Sequence, residues 1–360
     1  MRLESIKISE FRNLREIEIE GFDKINVIYG LNAQGKTNFV EAIAYLSLLK
    51  SFRSDDNLDL INREADFARI EATTSEGDRK QKLKVVINKL STKTFLGNKE
   101  IKKIGDFIGT VNTITFSPED VFLFKEAPRV RRSFLNNEIS KISPAYYLAK
   151  NQLSKLLKER NELLKSDKID MVLLETYNQQ LAQLNSEIAR KRLEFLNKIE
   201  KTASSKYQEL SGDDIKIEIE YINQFNGDYQ AEHIEKLLMD KFEEDHQKGA
   251  TQIGVHKDDF VLKLDGKNIA HYGSQGQNRL AALALKLAVI EVNKEKTGSE
   301  AIVILDDVLS ELDKIKQKRL LDMLEKENQV FITTTQDADV ANIAQAKKIK
   351  IVQGQAEGES

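Results

Sequence analysis

The chain has 360 residues, which predicts two domains, or one domain with a large insertion. Hydrophobic residues make up 40% and charged residues 31%, as in a globular protein with an apolar core, and the net charge of −3 neither indicates nor excludes a nucleic-acid partner. The absence of cysteine excludes disulfides and thiolate metal sites and fits a reducing cytoplasm. The opening MRLESIKISEF is unlike a signal peptide and no apolar run suits a membrane span, so we expect a cytoplasmic protein with no membrane partner.

The amino-terminal third is rich in strand patterns. Isoleucines alternate with glutamates over 16–20, which predicts a half-buried strand, and residues 25–29 are apolar enough for a central strand. Further strands are predicted over 67–73, 83–88 and 111–116.

A glycine-rich motif separates the strand at 25–29 from a helical run over 38–49. It reads G-x-x-x-x-G-K-T, and in a strand–loop–helix context it is typical of a phosphate-binding loop. The glycines let the backbone curl so that its N–H groups point at an anion, and the start of the helix adds a partial positive charge. We predict that Lys36 reaches the β- and γ-phosphates and that the Thr37 hydroxyl holds Mg²⁺. The predicted nucleotide-binding residues are Gly30, Asn32, Ala33, Gln34, Gly35, Lys36, Thr37 and Asn38.

The middle of the chain is helical in composition. Residues 127–208 contain no glycine, and apolar residues recur at helical spacing on both sides of a bend at Ser166-Asp167-Lys168. This predicts an antiparallel helix pair over 146–208, as a short coiled coil or as ordinary helical core. A half-buried strand over 215–221 and a hairpin over 260–271 follow, and we expect the tail from Gly354 to fray.

A carboxylate pair stands near the other end of the chain. The apolar strand over 301–305 leads directly into Asp306 and Asp307, and parallel sheets bind ligands at the carboxyl ends of their strands. We predict that Asp306 binds Mg²⁺, directly or through water, and that Asp307 orients or deprotonates the attacking water. Lys36 and Asp307 are therefore the predicted catalytic residues; the alternative is that the aspartates cap a helix.

A second anion-binding helix terminus is predicted where Ser274-Gln275-Gly276 precede an apolar helical run. This segment resembles the LSGGQ-type signature of ABC ATPases, and Ser310-Glu311-Leu312-Asp313 resembles their D-loop. Ser274, Gln275 and Gly276 would then contact the γ-phosphate held by a second copy; a serine cap on a glycine-rich turn is the alternative.

The distance between the two nucleotide motifs along the chain predicts a split core. We expect an α/β fold in which an ABC-type P-loop ATPase head is assembled from the amino-terminal and carboxyl-terminal segments. The head would comprise 1–120 and 250–360, and a mostly helical lobe would be inserted over 121–249.

Longer motifs resemble the RecF family of bacterial recombination and repair ATPases over most of the chain. In chain order they are SIKISEFRNL, GLNAQGKTNFVEAI, Ser51-Phe52-Arg53, FSPED with the following RRSFL, GVHKDD, SQGQNR, ILDDVLSELD and FITTT. The resemblance implies a head like that of SMC proteins, which dimerises with ATP and Mg²⁺ held between two copies. It also implies a slow, DNA-stimulated ATPase that serves as a switch.

The same resemblance implies partners. They are duplex DNA and single-strand/duplex junctions, bound without base-sequence specificity, and the proteins RecR and RecO, with which the family loads RecA at single-strand gaps in DNA repair, replication restart and the SOS response. An SMC-like DNA-tethering ATPase is the alternative function, which the short helices of this chain disfavour.

Some positions depart from the related families. Val255 and Lys257 interrupt the family's G-P-H-R-D-D, and Thr333 to Thr335 stand where ABC transporters carry a switch histidine. A hydroxyl cannot carry the charge of an imidazolium, so we expect slow hydrolysis. No Q-loop glutamine is evident; Glu119 or Asp120 either serves there or caps a helix.

Basic clusters either contact DNA phosphates or form solvated faces. They are Arg129, Arg131 and Arg132; Lys102 and Lys103; and Lys347, Lys348 and Lys350.

Overall fold

The computed structural model describes residues 1–335 and 345–357, and the chain forms two compact units. The first unit contains Met1–Asp120, Glu209–Gly212 and the described part of Lys286–Ser360. The second contains Val121–Gln208 and Asp213–Leu285. None of the helices in these described ranges has both the length and the hydropathy that crossing a bilayer requires.

The described residues form a strand-rich amino-terminal part, a helix-rich middle and a mixed carboxyl-terminal part. The strands are β1 (Arg2–Phe11), β2 (Leu14–Glu20), β3 (Ile25–Tyr29), β4 (Phe67–Glu76), β5 (Arg79–Asn88), β6 (Thr92–Leu96), β7 (Lys99–Ile101), β8 (Thr113–Phe116), β9 (Ile217–Ile222), β10 (Asp259–Leu264), β11 (Lys267–Asn268), β12 (Ile302–Asp306), β13 (Gln329–Thr334), β14 (Lys347–Val352) and β15 (Gln355–Glu357). The helices are α1 (Lys36–Leu48), α2 (Pro128–Ile142), α3 (Pro144–Leu164), α4 (Met171–Ser211), α5 (Ala231–Asp240), α6 (Phe242–Lys248), α7 (Ile269–Tyr272), α8 (Gln275–Thr297) and α9 (Lys314–Glu325).

The centre of the first unit is a sheet in the order β15-β14-β3-β13-β12-β8. Neighbouring strands pair in parallel, except for the antiparallel β15. Strands β12 and β13 are buried at every residue, as expected for strands that are covered on both faces. The carboxyl ends of β3, β12 and β13 therefore meet at one edge, where the loop before α1 also lies.

An antiparallel sheet in the order β2-β1-β4-β5-β6-β7 completes the first unit. Its strands alternate buried apolar residues with more exposed polar ones, so one face is apolar and the other is wet. Ile8 pairs with Ile17 on β2 and with Ile70 on β4, which sets the register of the apolar face.

The second unit is mainly helical. The Arg160 Nε donates to Asn178 Oδ1 at 2.8 Å, and the Arg192 Nε donates to the Tyr146 hydroxyl at 3.1 Å. The later of these two α3 residues contacts the earlier α4 residue, and the earlier α3 residue contacts the later α4 residue. The two helices therefore run antiparallel. A small sheet in the order β11-β10-β9 belongs to the same unit.

The grouping of residues 250–285 differs from the expected lobe boundaries. The sequence predicts that these residues belong to the head, whereas the structure groups them with the second unit. The physical reason is that β10 pairs along its whole length with β9, and Phe260 on β10 packs against Phe134 on α2. The tail also differs from expectation, because β15 pairs with β14, while residues 358–360 lie outside the described residues.

Candidate nucleotide site

Glycine is required at two positions of the loop between β3 and α1. The φ angle is 146° at Gly30 and 114° at Gly35, a region that L side chains rarely adopt. A Cβ atom at Gly30 would collide with the Ile351 carbonyl oxygen, and one at Gly35 would lie 2.7 Å from Leu14 Cδ2. This tight curl is the backbone shape that presents loop and helix N–H groups to an anion.

Lys36 extends across this loop. Its Nζ donates 2.8 Å hydrogen bonds to the carbonyl oxygens of Gly30 and Leu31. Burial lowers the pKa of Lys36, and the carboxylates of Asp307 and Asp306 oppose that shift. A phosphate oxygen is a stronger partner for an ammonium than a neutral carbonyl oxygen. A bound phosphate would therefore replace these carbonyl oxygens as the hydrogen-bond partner of Lys36.

Residues outside the predicted nucleotide-binding set support the loop. Gln353 N donates to Gln34 Oε1 at 2.6 Å, and Gly354 N donates to the Gln34 carbonyl at 2.9 Å. Asn13 Nδ2 donates to the Ala33 carbonyl at 3.3 Å. The turn between β14 and β15 and the turn between β1 and β2 therefore both contact the phosphate loop.

The remaining predicted nucleotide-binding residues are less buried than Lys36. Asn32 and Ala33 are exposed, and Asn38 Nδ2 donates to Asn13 Oδ1 at 2.7 Å. The Arg53 guanidinium donates to Asn38 Oδ1 at 2.8 Å. Asn13 and Arg53 both lie in motifs that resemble the family, but these motifs did not by themselves predict a role for either residue in the nucleotide site.

The two halves of the predicted metal site are in contact. The Thr37 hydroxyl donates to Asp306 Oδ1 at 3.0 Å, and the Thr333 hydroxyl donates to the same oxygen at 2.7 Å. Burial raises the pKa of the Asp306 carboxyl, and the two hydroxyl hydrogen bonds oppose that rise. Thr333 was noted in the sequence only as the replacement for a histidine, and its contact with Asp306 comes from the pairing of β12 with β13.

Asp307 lies at the end of the same strand with a left-handed backbone. Its φ is 55°, its side chain is exposed, and its N–H donates to the Thr333 hydroxyl at 2.9 Å. The helical turn Leu309–Glu311 has Val308 at its N-cap and no side-chain cap. The capping alternative for the two aspartates is therefore wrong.

A buried carboxylate stabilises the start of α1. Glu41 is fully buried, and Arg12 donates to its two oxygens at 2.5 and 2.8 Å. The Ser51 hydroxyl donates to it at 2.5 Å, and the Arg53 guanidinium lies 3.6 Å away. This ion pair joins the FRNL and Ser51-Phe52-Arg53 motifs to the helix that follows the phosphate loop.

The signature segment belongs to the second unit, whereas the site residues described so far belong to the first. Gln277 N donates to the Ser274 hydroxyl at 3.1 Å, and Ser274 N donates to Gln277 Oε1 at 2.9 Å. This reciprocal pair is a capping box at the start of α8. The capping alternative is therefore present in the structure, while Ser274, Gln275 and Gly276 are exposed and the serine keeps its hydroxyl proton as a donor.

Asp120 is committed to an internal contact. The Lys286 Nζ donates to Asp120 Oδ1 and to the Thr115 carbonyl, each at 2.5 Å, and Ser117 N donates to Asp120 Oδ2 at 2.8 Å. These contacts support the capping interpretation of Asp120. Glu119 is exposed.

Two family motifs meet inside the second unit. Arg131 is buried and donates to both oxygens of Asp259 at 2.7 and 2.8 Å, and Arg132 donates to the Asp258 carbonyl at 2.9 Å. Arg131 is therefore not available for a phosphate contact, which corrects that part of the basic-cluster expectation. Lys257, in the same motif, is exposed.

The first-unit residues fit a magnesium nucleotide. A glycine cradle that a Cβ would fill, a lysine ammonium and a hydroxyl–carboxylate pair lie at the end of one sheet. Hydroxyl and carboxylate oxygens are hard donors that suit Mg²⁺. Among the described residues no cluster of three or more His, Cys, Asp or Glu side chains suits a metal, so Mg²⁺ here would take further ligands from phosphates and water.

Similarity to known proteins extends over almost the whole chain. The family model described as RecF/RecN/SMC N terminal domain matches residues 2–357. The DNA replication and repair protein RecF of Exiguobacterium sp. is 37% identical over 374 residues, covering 100% of both chains, and that of Halalkalibacterium halodurans is 38% identical, covering 93% of each.

Solved structures agree with these matches. The recombination mediator protein RecF-ATP in the RecFOR pathway superimposes with a TM-score of 0.91 at 33% identity, covering 99% of this chain and 98% of that one. An SMC head bound to the C-winged helix domain of ScpA has a TM-score of 0.56 at 16% identity and shares the fold. The predicted ABC-type head is confirmed, and the chain belongs to the RecF family of DNA replication and repair proteins.

Proposed function

We propose that this chain is an ATP-dependent DNA-binding recombination mediator. ATP joins two copies head to head, and the dimer clamps duplex or gapped DNA. With RecR and RecO it promotes RecA loading at single-strand gaps, in DNA repair, replication restart and the SOS response, in the cytoplasm. The full-length similarity to a recombination mediator whose solved structure contains ATP supports this proposal.

The observation that carries the nucleotide part is the 3.0 Å hydrogen bond from the Thr37 hydroxyl to Asp306 Oδ1. These side chains come from motifs at opposite ends of the chain, and the fold brings them into contact beside the phosphate loop. Bound Mg²⁺ would neutralise charge on the phosphates, and Thr37 and Asp306 are the residues that would hold it.

The other residues of the proposed site act on the phosphates and on the attacking water. The loop from Gly30 to Thr37 binds the phosphates through its backbone N–H groups. Lys36 exchanges its carbonyl partners for phosphate oxygens. Asp307 orients the attacking water and accepts its proton at a carboxylate oxygen. The chain offers a threonine rather than a histidine at the end of β13, so turnover is slow and the ATPase serves as a switch.

The signature segment supplies the dimer contact. The capping box orients the Ser274 oxygen toward the helix start and leaves its proton for an acceptor outside the chain. The N–H groups of an exposed helix start favour an anion. We propose that Ser274, Gln275 and Gly276 of each copy contact the γ-phosphate of the nucleotide held by the other.

The first experiment is the molecular mass in solution, by light scattering, without nucleotide, with ADP and with ATP. We expect a monomer without nucleotide and with ADP, and a dimer only with ATP. Ser274→Arg should bind ATP but stay monomeric, whereas Lys36→Ala should lose ATP binding itself. A protein that stays monomeric with ATP bound, or a Lys36→Arg variant that dimerises and binds DNA like the wild type, would contradict the proposal.

The DNA part is tested separately by fluorescence anisotropy. Labelled duplex and gapped DNA should bind more tightly with ATP than with ADP, and Ser274→Arg should remove that difference. Binding should weaken with rising salt because it rests on phosphate contacts. An affinity that does not depend on the nucleotide would contradict the clamp.

A tether of the SMC type is disfavoured by the length of the arms. Helix α4 has 41 residues, which at about 1.5 Å per residue is about 60 Å, and α3 has 21 residues. A sedimentation coefficient close to that of a compact 41.0 kDa chain would agree with the clamp.

A further inference from the structure

Thr333 connects the two carboxylate residues of the proposed site. Its side chain is 2% exposed, and it pairs in register with Asp306 across the parallel strands β12 and β13. The Thr333 Oγ1 lies 2.7 Å from Asp306 Oδ1 and 2.9 Å from the backbone nitrogen of Asp307.

The direction of these hydrogen bonds is determined by chemistry. The backbone N–H of Asp307 can only donate, so the Thr333 oxygen accepts from it. A hydroxyl has one proton, and the ionised Asp306 carboxylate can only accept, so the Thr333 proton goes to Asp306. The chain of donors therefore runs from the Asp307 backbone through Thr333 to Asp306.

We propose that Thr333 is a positioning residue for hydrolysis, which orients the Asp306 carboxylate and fixes the backbone of Asp307 through this one hydroxyl. The inference rests on the proposed ATPase function and adds a role for a residue at the position where transporters carry a histidine. Thr333 binds Asp306 Oδ1 and leaves Asp306 Oδ2 for the metal. It also holds the backbone of Asp307 in its left-handed conformation, with φ at 55°.

This arrangement links the metal ligand to the base. Thr37 donates to the same Asp306 oxygen, at 3.0 Å, so the carboxylate is held from two sides. Loss of the Thr333 hydroxyl would leave the Asp306 carboxylate held, among the described residues, by Thr37 alone and would leave the Asp307 N–H without this acceptor. The affinity for the metal should then fall, and the base Asp307 should be less well positioned, in the same variant.

The test uses Thr333→Val, which keeps the shape and removes the hydroxyl, and Thr333→Ser, which keeps the hydroxyl. Thr113→Val on β8 is the matched control, because Thr113 is a buried threonine of the same sheet whose hydroxyl donates to Ser47 at 2.9 Å, away from the site. Circular dichroism and thermal unfolding confirm that each variant folds.

Three readouts distinguish positioning from packing. The first is the Mg²⁺ concentration needed for half-maximal binding of a non-hydrolysable ATP analogue, which should rise about 10- to 100-fold in Thr333→Val, as is typical when a partner of a metal ligand is lost. The second is kcat, which should fall about 10- to 100-fold with KM for ATP changed less than about threefold. Thr333→Ser should restore both values.

The third readout needs no nucleotide. The exchange of the Asp307 amide proton, followed by NMR on the full chain, should be slow in the wild type and in Thr333→Ser, and faster in Thr333→Val by about 10-fold or more. This measurement stays informative on the wild type even if Thr333→Val does not fold. A rapidly exchanging Asp307 amide in the wild type would overturn the inference.

The outcomes separate the inference from the proposed function. A wild type that does not bind ATP contradicts the proposed function. A wild type that binds and hydrolyses ATP, with Thr333→Val unchanged in Mg²⁺ dependence and kcat, contradicts only the role of Thr333. A Thr333→Ser variant as impaired as Thr333→Val would mean that the methyl group and its packing, not the hydroxyl, are needed.

Discussion

The Thr37 hydroxyl donates a 3.0 Å hydrogen bond to Asp306, although the two residues are 269 positions apart in the chain. The contact exists because β3, which leads into the phosphate loop, and β12, which ends in Asp306, both flank β13 in one parallel sheet. Every residue proposed here for phosphate and metal binding in the first unit lies at that sheet edge.

Gly35→Ala should abolish nucleotide binding. The added Cβ would lie 2.7 Å from Leu14 Cδ2 and 2.9 Å from Asn13 Oδ1, at a φ of 114°. We expect a loss of about 2 kcal/mol or more in the free energy of unfolding, measured by urea denaturation. Gly97→Ala is the control, because nothing lies within 4 Å of its Cβ position at a φ of 58°; it should cost about 1 kcal/mol and leave ATP binding intact. Equal effects of the two variants would refute a steric requirement at Gly35.

Asp307 should show a conflict between stability and activity. Asp307→Asn should lower kcat by about 10²- to 10⁴-fold while ATP-dependent dimerisation persists, because it removes the base and keeps the shape. Asp307→Gly should lower kcat as much and raise the free energy of unfolding by about 0.5–1 kcal/mol, since glycine tolerates a φ of 55°. Single-turnover hydrolysis and urea denaturation measure the two effects. Asp307→Asn with normal turnover would exclude Asp307 as the base.

The two partners of the capping box should separate stability from dimerisation. Ser274→Ala and Gln277→Ala each break one of the reciprocal hydrogen bonds and should each cost about 1 kcal/mol of stability. Only Ser274→Ala should weaken ATP-dependent dimerisation in light scattering, since the proposed γ-phosphate contact is with the serine. If both variants lose dimerisation equally, the capping role alone explains the effect.

His256 should make folding stability depend on pH. The ring is largely buried, its Nε2 lies 3.0 Å from the Thr251 carbonyl oxygen, and its Nδ1 has no hydrogen-bond partner among the described residues. Burial lowers the pKa of His256 to about 4, helped by the positive charges of Lys257, Arg132 and Arg192 and opposed by the Thr251 contact. Between pH 6.5 and 4 the unfolded chain therefore binds a proton that the folded chain does not, so stability falls as the pH falls.

The size of the His256 effect is about 3 kcal/mol at most, from the unfolded pKa of about 6.5 and the folded value. It is measured as the difference in the free energy of unfolding between wild type and His256→Gln at pH 7.5 and pH 4.5. His271→Gln, at an exposed histidine of the same unit, should follow the wild type. A His256→Gln variant with the wild-type pH profile would contradict the assignment.

The phosphate loop, the aspartate pair and the strands that carry them are visible in the sequence because each depends on local information. Glycine at a left-handed position, an apolar run for a covered strand and a helix after the loop are short-range features. The capping box at Ser274 is local in the same way, since its two partners are three residues apart. These elements could be placed without knowing which strands are neighbours.

The sequence alone predicts a nucleotide site and the residues of its two halves, because the motif residues carry their chemistry in their own side chains and local backbone. The folded structure was needed to show that Thr333 joins Asp306 to Asp307, that Gln353 and Gly354 contact Gln34, and that Arg131 is buried against Asp259. It also decided that residues 250–285 group with the helical unit, because β10 pairs with β9. Such contacts depend on strand order and register between distant segments, and local periodicity does not encode which segments will pair.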